Sequence, residues 1–232
     1  MDRVEVVPGR LHMLRFPIGQ AYLWCDDEAL TLIDAGYAGS APEIEDAIRS
    51  LGLRPELLER IVVTHCHRDH VGSSGELAAR LGAEVAAHRW DAPVIRGEQD
   101  VPEPVLADWE LPLYAHGLTA PKAPPTRVDR EVEDGEVLPF GGGAVIVHSP
   151  GHTPGSIGVH LPAWGVLFTG DCVAGIGQVR PGVFNVDGAR AQSSFRRLAA
   201  LAPSIACFGH GDPLTRDTAR ILTAATTAPQ PR

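Results

Sequence analysis

Residues 60–72 read RIVVTHCHRDHVG, a short strand-type run that leads directly into three histidines, a cysteine and an aspartate within six positions. No packing requirement calls for such a cluster, whereas metal coordination does. The spacing also constrains the backbone. His65 and His67, two residues apart, face the same side only in an extended segment, and Cys66 then faces the other. On a helix they would diverge. The pair therefore demands a strand that ends in a loop, and the turn that follows brings Asp69 and His70 round to a second position nearby.

Three later stretches repeat the theme. SPGHTPGS offers His152, LFTGDCV offers Asp171 and CFGHGDP offers His210. Each follows a strand-like run and is bordered by Gly or Pro, so side chains from distant parts of the chain can meet where the backbone turns sharply. Seven candidate ligands exceed the roughly four that one zinc takes. They suit two divalent metal ions sharing a carboxylate. Imidazole and carboxylate donors favour zinc, with iron or manganese as alternatives.

The rest of the chain frames these motifs. VEVV, LHMLRF, AYLWC and ALTLID predict an antiparallel meander. Ser40 with Glu43, and Ser73 with Glu76, read as capping boxes opening two helices, the first carried by Ile44, Ala47, Ile48 and Leu51. AEVAAH returns as a strand. Residues 97–126 then break the pattern with six prolines, which predicts a lid-like or covering insertion with one short helix around Pro104–Tyr114. Beyond it RVDREV, EVLPF, AVIVHSP, SIGVHLP and GVLFTGD predict strands. A helix over about 188–201, the strand SIACFGHG and a last helix over about 215–225 follow. Strands followed by helix, twice over, predict two similar halves, each a sheet covered by helices and packed sheet to sheet, within one domain spanning residues 1–232.

Composition excludes several function classes. With 29 acidic against 20 basic residues the net charge is −9, so neither nucleic acid nor an anionic membrane is expected as a partner. No apolar run approaches the ~20 residues of a membrane span, and the N-terminus lacks signal-peptide regions. The four scattered cysteines form no disulfide framework. A cytoplasmic protein acting on a small-molecule substrate is the expectation; oligomeric state is not readable.

H-x-H-x-D-H after a strand, then P-G-H-T-x-G-S, F-T-G-D and G-H-G, together resemble the metallo-β-lactamase fold superfamily, over nearly the whole chain and in order. The resemblance implies an α+β fold, a four-layer αββα sandwich of two mixed sheets flanked by helices. It implies that His65, His67 and His152 hold one metal, that Asp69, His70 and His210 hold the other, and that Asp171 bridges both.

Two divalent ions, less Asp69, Asp171 and a bridging hydroxide, leave a charge of about +1, suited to polarising a carbonyl. The expected activity is a dinuclear metal-dependent hydrolase in which the bridging hydroxide cleaves an ester, thioester or lactone. Asp69 and Asp171 are its catalytic carboxylates, Asp69 orienting the nucleophile. Glyoxalase II is similar in its metal set and in SPGHTPGS, but carries a C-terminal helical domain for which the 22 residues after His210 leave no room. True β-lactamases lack the bridging aspartate. Quorum-quenching lactonases place a tyrosine where this chain has Ala174. A mononuclear-iron persulfide dioxygenase, similar in its T-H-C-H stretch, and a non-catalytic metal-storage protein are the alternatives.

Weaker candidates complete the list of expectations. Cys66 points away from the metals, and Cys172 packs. His148 is a second layer behind the ligands or a pocket wall, Thr153 and Ser156 brace the His152 loop, and His12, His88, His116 and His160 are structural or surface groups. Trp24, Trp109, Tyr114 and Phe184 are pocket walls or packing residues.

Overall fold

The short β-branched and aromatic runs near the N-terminus pair as the turns between them dictate. In the computed structural model, which describes residues 1–227, β1 (Asp2–Val7), β2 (Leu11–Arg15), β3 (Gln20–Cys25) and β4 (Leu30–Ile33) form the antiparallel meander. Then β5 (Leu58–Val63), β6 (Glu84–His88) and β7 (Arg130–Val132) add in parallel, giving one mixed seven-stranded sheet. Parallel neighbours need crossovers. Helix α1 (Ala41–Ser50) supplies the one between β4 and β5, and α2 (Arg68–Val71) with α3 (Ser74–Leu81) the one between β5 and β6. Ile44 and Ile48 of α1 and Leu77 of α3 pack on Leu14, Leu23, Leu32, Ile61, Val63 and Val85, each such side chain contributing about 1.5–3 kcal/mol on burial.

The serines read as helix caps do something else. Ser40 and Ser73 precede α1 and α3, but neither side chain caps its helix. Both are fully buried. Ser73 Oγ donates to Tyr37 O at 2.7 Å and accepts from Ser40 N at 2.8 Å, stapling the 37–40 loop to the turn behind the first motif. Glu43 pairs with the N-terminal amine and Glu76 with Arg80 instead. Gly72 permits the close approach, since a Cβ there would run into Ala38 N and the Tyr37 carbonyl carbon.

The chain forms two compact units. The first is Met1–Val101 with Ala120–Val132; it holds the sheet just described and the short helix α4 (Ala92–Ile95). The second comprises Pro102–Thr119 and the chain from Glu133 onward. Its five-stranded mixed sheet consists of β8 (Val137–Leu138), β9 (Ala144–His148), β10 (Ile157–Leu161), β11 (Val166–Phe168) and β14 (Ile205–Cys207), ordered β14-β11-β10-β9-β8. A small ribbon pairs β12 (Val173–Ala174) with β13 (Arg180–Pro181). Phe195 and Leu198 of α6 (Gly188–Ala199) and Leu222 of α7 (Thr218–Ala225) bury Val147, Leu167 and Ala206. Both β9 and β11 run antiparallel to β10, and β14 runs parallel to β11. The segments leaving β9, β11 and β14 therefore emerge at one edge.

In the proline-rich insert the helix lies later than the sequence predicts. A 3-10 turn at Asp108–Glu110 leads into α5 (Leu111–Gly117). Pro112 sits in its first turn, where a missing N–H costs nothing. No described helix is long and apolar enough to cross a membrane.

Candidate metal centre

Parallel pairing of β4 and β5 sets the first group of candidate ligands. Past the ends of these neighbouring strands stand Asp34 and Thr64, and the ladder continues through Asp34 N to Val62 O at 2.9 Å. Asp34 Oδ1 accepts from Thr64 N at 2.7 Å, and its Oδ2 accepts from Thr64 Oγ1 and from His70 Nδ1, both at 2.8 Å. Asp34 is buried and adopts φ +61°, a left-handed conformation that costs a non-glycine residue about 1–3 kcal/mol. Its three hydrogen bonds hold it there. Sequence reading passed over Asp34 and Thr64; the signal was an aspartate at the end of a strand, in LTLIDAG.

This network fixes two imidazoles. Thr64 gives its hydroxyl proton to Asp34, so at 3.0 Å Thr64 Oγ1 must accept from His65 Nδ1. His65 and His70 thus carry their protons on Nδ1 and turn Nε2 outward with a lone pair. Such backing of a ligand imidazole is the usual companion of metal coordination. The His65 and His70 ring centroids are 4.2 Å apart, and His65 Nε2 lies 3.1 Å from His67 Nδ1. His70 Nε2 faces Asp69 Oδ2 at 3.5 Å. Cys66, buried between the histidines, belongs to the apolar core of its unit and donates its N–H to Asp91 Oδ2 at 2.9 Å. Burial and the nearby Asp91 carboxylate push its thiol well above the usual range.

In the second unit the candidate ligands arrive from the common strand edge. Asp171 sits in a 3-10 turn after β11, and His210 follows β14. Thr169 N donates to Cys207 O at 2.9 Å, Gly209 N to Gly170 O at 3.0 Å and Gly175 N to His210 O at 2.8 Å, lacing the two loops together. His152 lies on the loop after β9, where the Thr153 and Ser156 hydroxyls meet at 2.8 Å and brace the turn. Its Nδ1 donates to Val183 O at 2.9 Å. Here too Nε2 keeps its lone pair, and it faces Asp171 Oδ2 at 3.7 Å; His210 Nε2 reaches the same oxygen at 3.2 Å. Gly182 lets the 181–183 segment pass against the Asp171 turn, since a Cβ there would overlap the Asp171 carbonyl oxygen.

These contacts test whether the donors fit a metal. A lone-pair nitrogen of His70 facing a carboxylate of Asp69, and one of His152 facing Asp171, are acceptor against acceptor. A cation between them turns both repulsions into attraction. In each unit the groups also grade from buried to accessible: His65 and His70 to His67 and Asp69, and His152 to Asp171 and then His210, whose side chain is 29% exposed. Imidazole and carboxylate donors of this kind fit divalent metal ions.

The remaining candidates take structural places. Cys172 packs with its Sγ toward Ala191 O, and burial pushes its pKa up to about 12. His148 is tied to the Pro154 carbonyl and Trp24 is fully buried in its sheet. Tyr114 packs edge-on to Phe184 at 5.3 Å.

A family model, the metallo-beta-lactamase superfamily, matches residues 14–210. The chain belongs to this superfamily. Among curated relatives, "Probable metallo-hydrolase YflN" of Bacillus subtilis is 30% identical over 88% of this chain and 85% of its own. A hydroxyacylglutathione hydrolase of Cereibacter sphaeroides is 30% identical over 80% of this chain, which spans 62% of that enzyme. Among solved structures, a metallo-β-lactamase from Cronobacter sakazakii superposes with TM-score 0.70 at 24% identity, covering 90% of this chain and 78% of its own. The subclass B3 enzyme BJP-1 of Bradyrhizobium japonicum gives 0.73 at 19%, covering 98% and 90%. These likenesses bear out the α+β metallo-β-lactamase fold expected from the sequence. Membership of this superfamily, whose relatives include named hydrolases, supports a metal-dependent hydrolase.

Proposed function

We propose that the protein is a dinuclear metal-dependent hydrolase that cleaves the carbonyl of a small ester, thioester or lactone. His65, His67 and His152 would hold one ion and Asp69, His70 and His210 the other, with Asp171 shared. The observation that carries the reading is the paired set of acceptor–acceptor approaches, His70 Nε2 to Asp69 Oδ2 and His152 Nε2 to Asp171 Oδ2, which a bound cation reconciles. Two bound divalent ions, zinc first, would supply Lewis-acid polarisation of the carbonyl and acidify water to near neutral pH.

The chain's own groups do the rest. Asp69, partly accessible beside His70, orients the attacking water and accepts its proton. Asp34 keeps His70 in one tautomer directly and His65 through Thr64. In the second unit a cavity of about 690 Å³ is lined by Val105, Trp109, Val179, Arg180 and Val183, among others. Val183, one of its lining residues, also gives the carbonyl that anchors His152, so a substrate held there lies near the His152 loop. The apolar lining suits an acyl body. Arg180 makes no ion pair with any described residue and suits an anionic substituent. The hydroxyacylglutathione hydrolase relative supports a thioester within that class.

A panel of glutathione thioesters, aryl esters, homoserine lactones, phosphoesters and β-lactams tests the substrate class. The expected outcome is kcat/KM of about 10⁴ M⁻¹s⁻¹ or more for one carbonyl ester, thioester or lactone. Turnover confined to phosphoesters or β-lactams would overturn the class.

A further inference from the structure

The insert is wired to a ligand through one buried carboxylate. Glu110 is 7% exposed. Its Oε2 accepts from Ala107 N at 2.8 Å, closing the 3-10 turn, and its Oε1 accepts from Phe184 N at 3.0 Å. The Phe184 N–H belongs to the same peptide unit as the Val183 carbonyl, which accepts from His152 Nδ1 at 2.9 Å. A trans peptide is planar, with its N–H and C=O pointing opposite ways. Glu110 and His152 therefore grip the two ends of one rigid plane. Fixing one end aims the other.

Two further features make the grip matter. Phe184 stands at φ +59°, unfavourable for an aromatic residue, so the plane stays in this orientation only while its contacts hold it. A carboxylate accepting the N–H also polarises the peptide, strengthening the carbonyl as an acceptor for the imidazole proton. The insert is tied to the same segment again by Val105 N donating to Asn185 O at 2.9 Å, and Asn185 Nδ2 donates to Gly182 O at 2.8 Å. Tyr114 packs on the Phe184 ring.

We propose that Glu110 is a positioning residue for His152: docking of the 102–119 insert, through Glu110, sets the orientation and donor strength of that ligand imidazole. Glu110 and Val183 both line the cavity, so a substrate bound there would lie against the residues that hold this plane. This rests on His152 being a metal ligand.

The test uses the full-length protein and two readouts that do not depend on turnover. These are zinc affinity by chelator competition, and amide exchange at Phe184 in metal-free protein, with circular dichroism reporting the fold. Glu110→Ala is expected to speed Phe184 exchange and weaken one of two zinc ions about tenfold or more, the usual effect of losing a group behind a ligand. Glu110→Gln, which keeps one acceptor oxygen, should fall between Glu110→Ala and wild type and confirm that the fold survives. Leu113→Ser, on the exposed side of α5, should leave affinity unchanged. Wild-type zinc affinity in Glu110→Ala, or equal weakening in Leu113→Ser, overturns the coupling. His152→Ala separates the two claims: if it binds both zinc ions as wild type does, the ligand reading itself fails, whereas loss of an ion there without any in Glu110→Ala sinks only the coupling.

Discussion

Asp171→Ala is expected to lose bound metal and turnover together, with kcat falling by more than the roughly 100-fold that marks loss of an outer partner. The Asp171 carboxylate is the meeting point of its unit, with Oδ2 3.7 Å from His152 Nε2 and 3.2 Å from His210 Nε2. Without it neither imidazole has a negative partner at that position, and two divalent ions would lose the shared ligand that offsets their repulsion. Metal content after dialysis and kcat on the best panel substrate check this. A variant retaining two ions and full turnover would remove Asp171 from the centre. The fold should survive, because Asp171 is partly accessible and the loop is held by backbone hydrogen bonds between 169–175 and 207–210.

Asp34→Asn separates metal affinity from stability. The substitution keeps the shape and tolerates the left-handed backbone at φ +61°. With the amide oxygen still accepting from Thr64 N, the new NH₂ replaces Oδ2 and confronts His70 Nδ1. His70 must then accept at Nδ1, which moves its proton to Nε2 and removes the lone pair a metal needs. The expected result is a 10- to 100-fold loss of metal affinity with a modest change in urea stability. Asp34→Ala should lose affinity and also stability, since buried donors left without an acceptor cost about 1–3 kcal/mol each. Equal affinity in wild type and Asp34→Asn, by chelator competition, would show that tautomer control by Asp34 does not matter.

What the sequence made legible was local. Strands announce themselves by β-branched runs, and a candidate ligand directly after a strand has its position fixed by the sheet; Asp171 and His210 follow β11 and β14 in this way. What stayed hidden depends on partners far along the chain. Asp34 reads as a strand end until β4 and β5 pair in parallel and set it against Thr64, thirty residues on. Ser40 and Ser73 carry the pattern of capping boxes, but burial in a shared turn redirects Ser73 to Tyr37 and Ser40. Glu110 looks like one more acid in an irregular insert. Only the folded insert shows its carboxylate closed on Phe184.

The central claim is that two metal ions held by this His and Asp set perform hydrolysis. Elemental analysis of purified protein, paired with hydrolysis and oxygen-uptake assays before and after chelation, addresses it most directly. The account predicts two zinc-type ions per chain, hydrolysis lost on chelation and restored by added metal, and no oxygen consumption. One iron per chain with thiol-dependent oxygen uptake, or hydrolysis undiminished in metal-free protein, would contradict it.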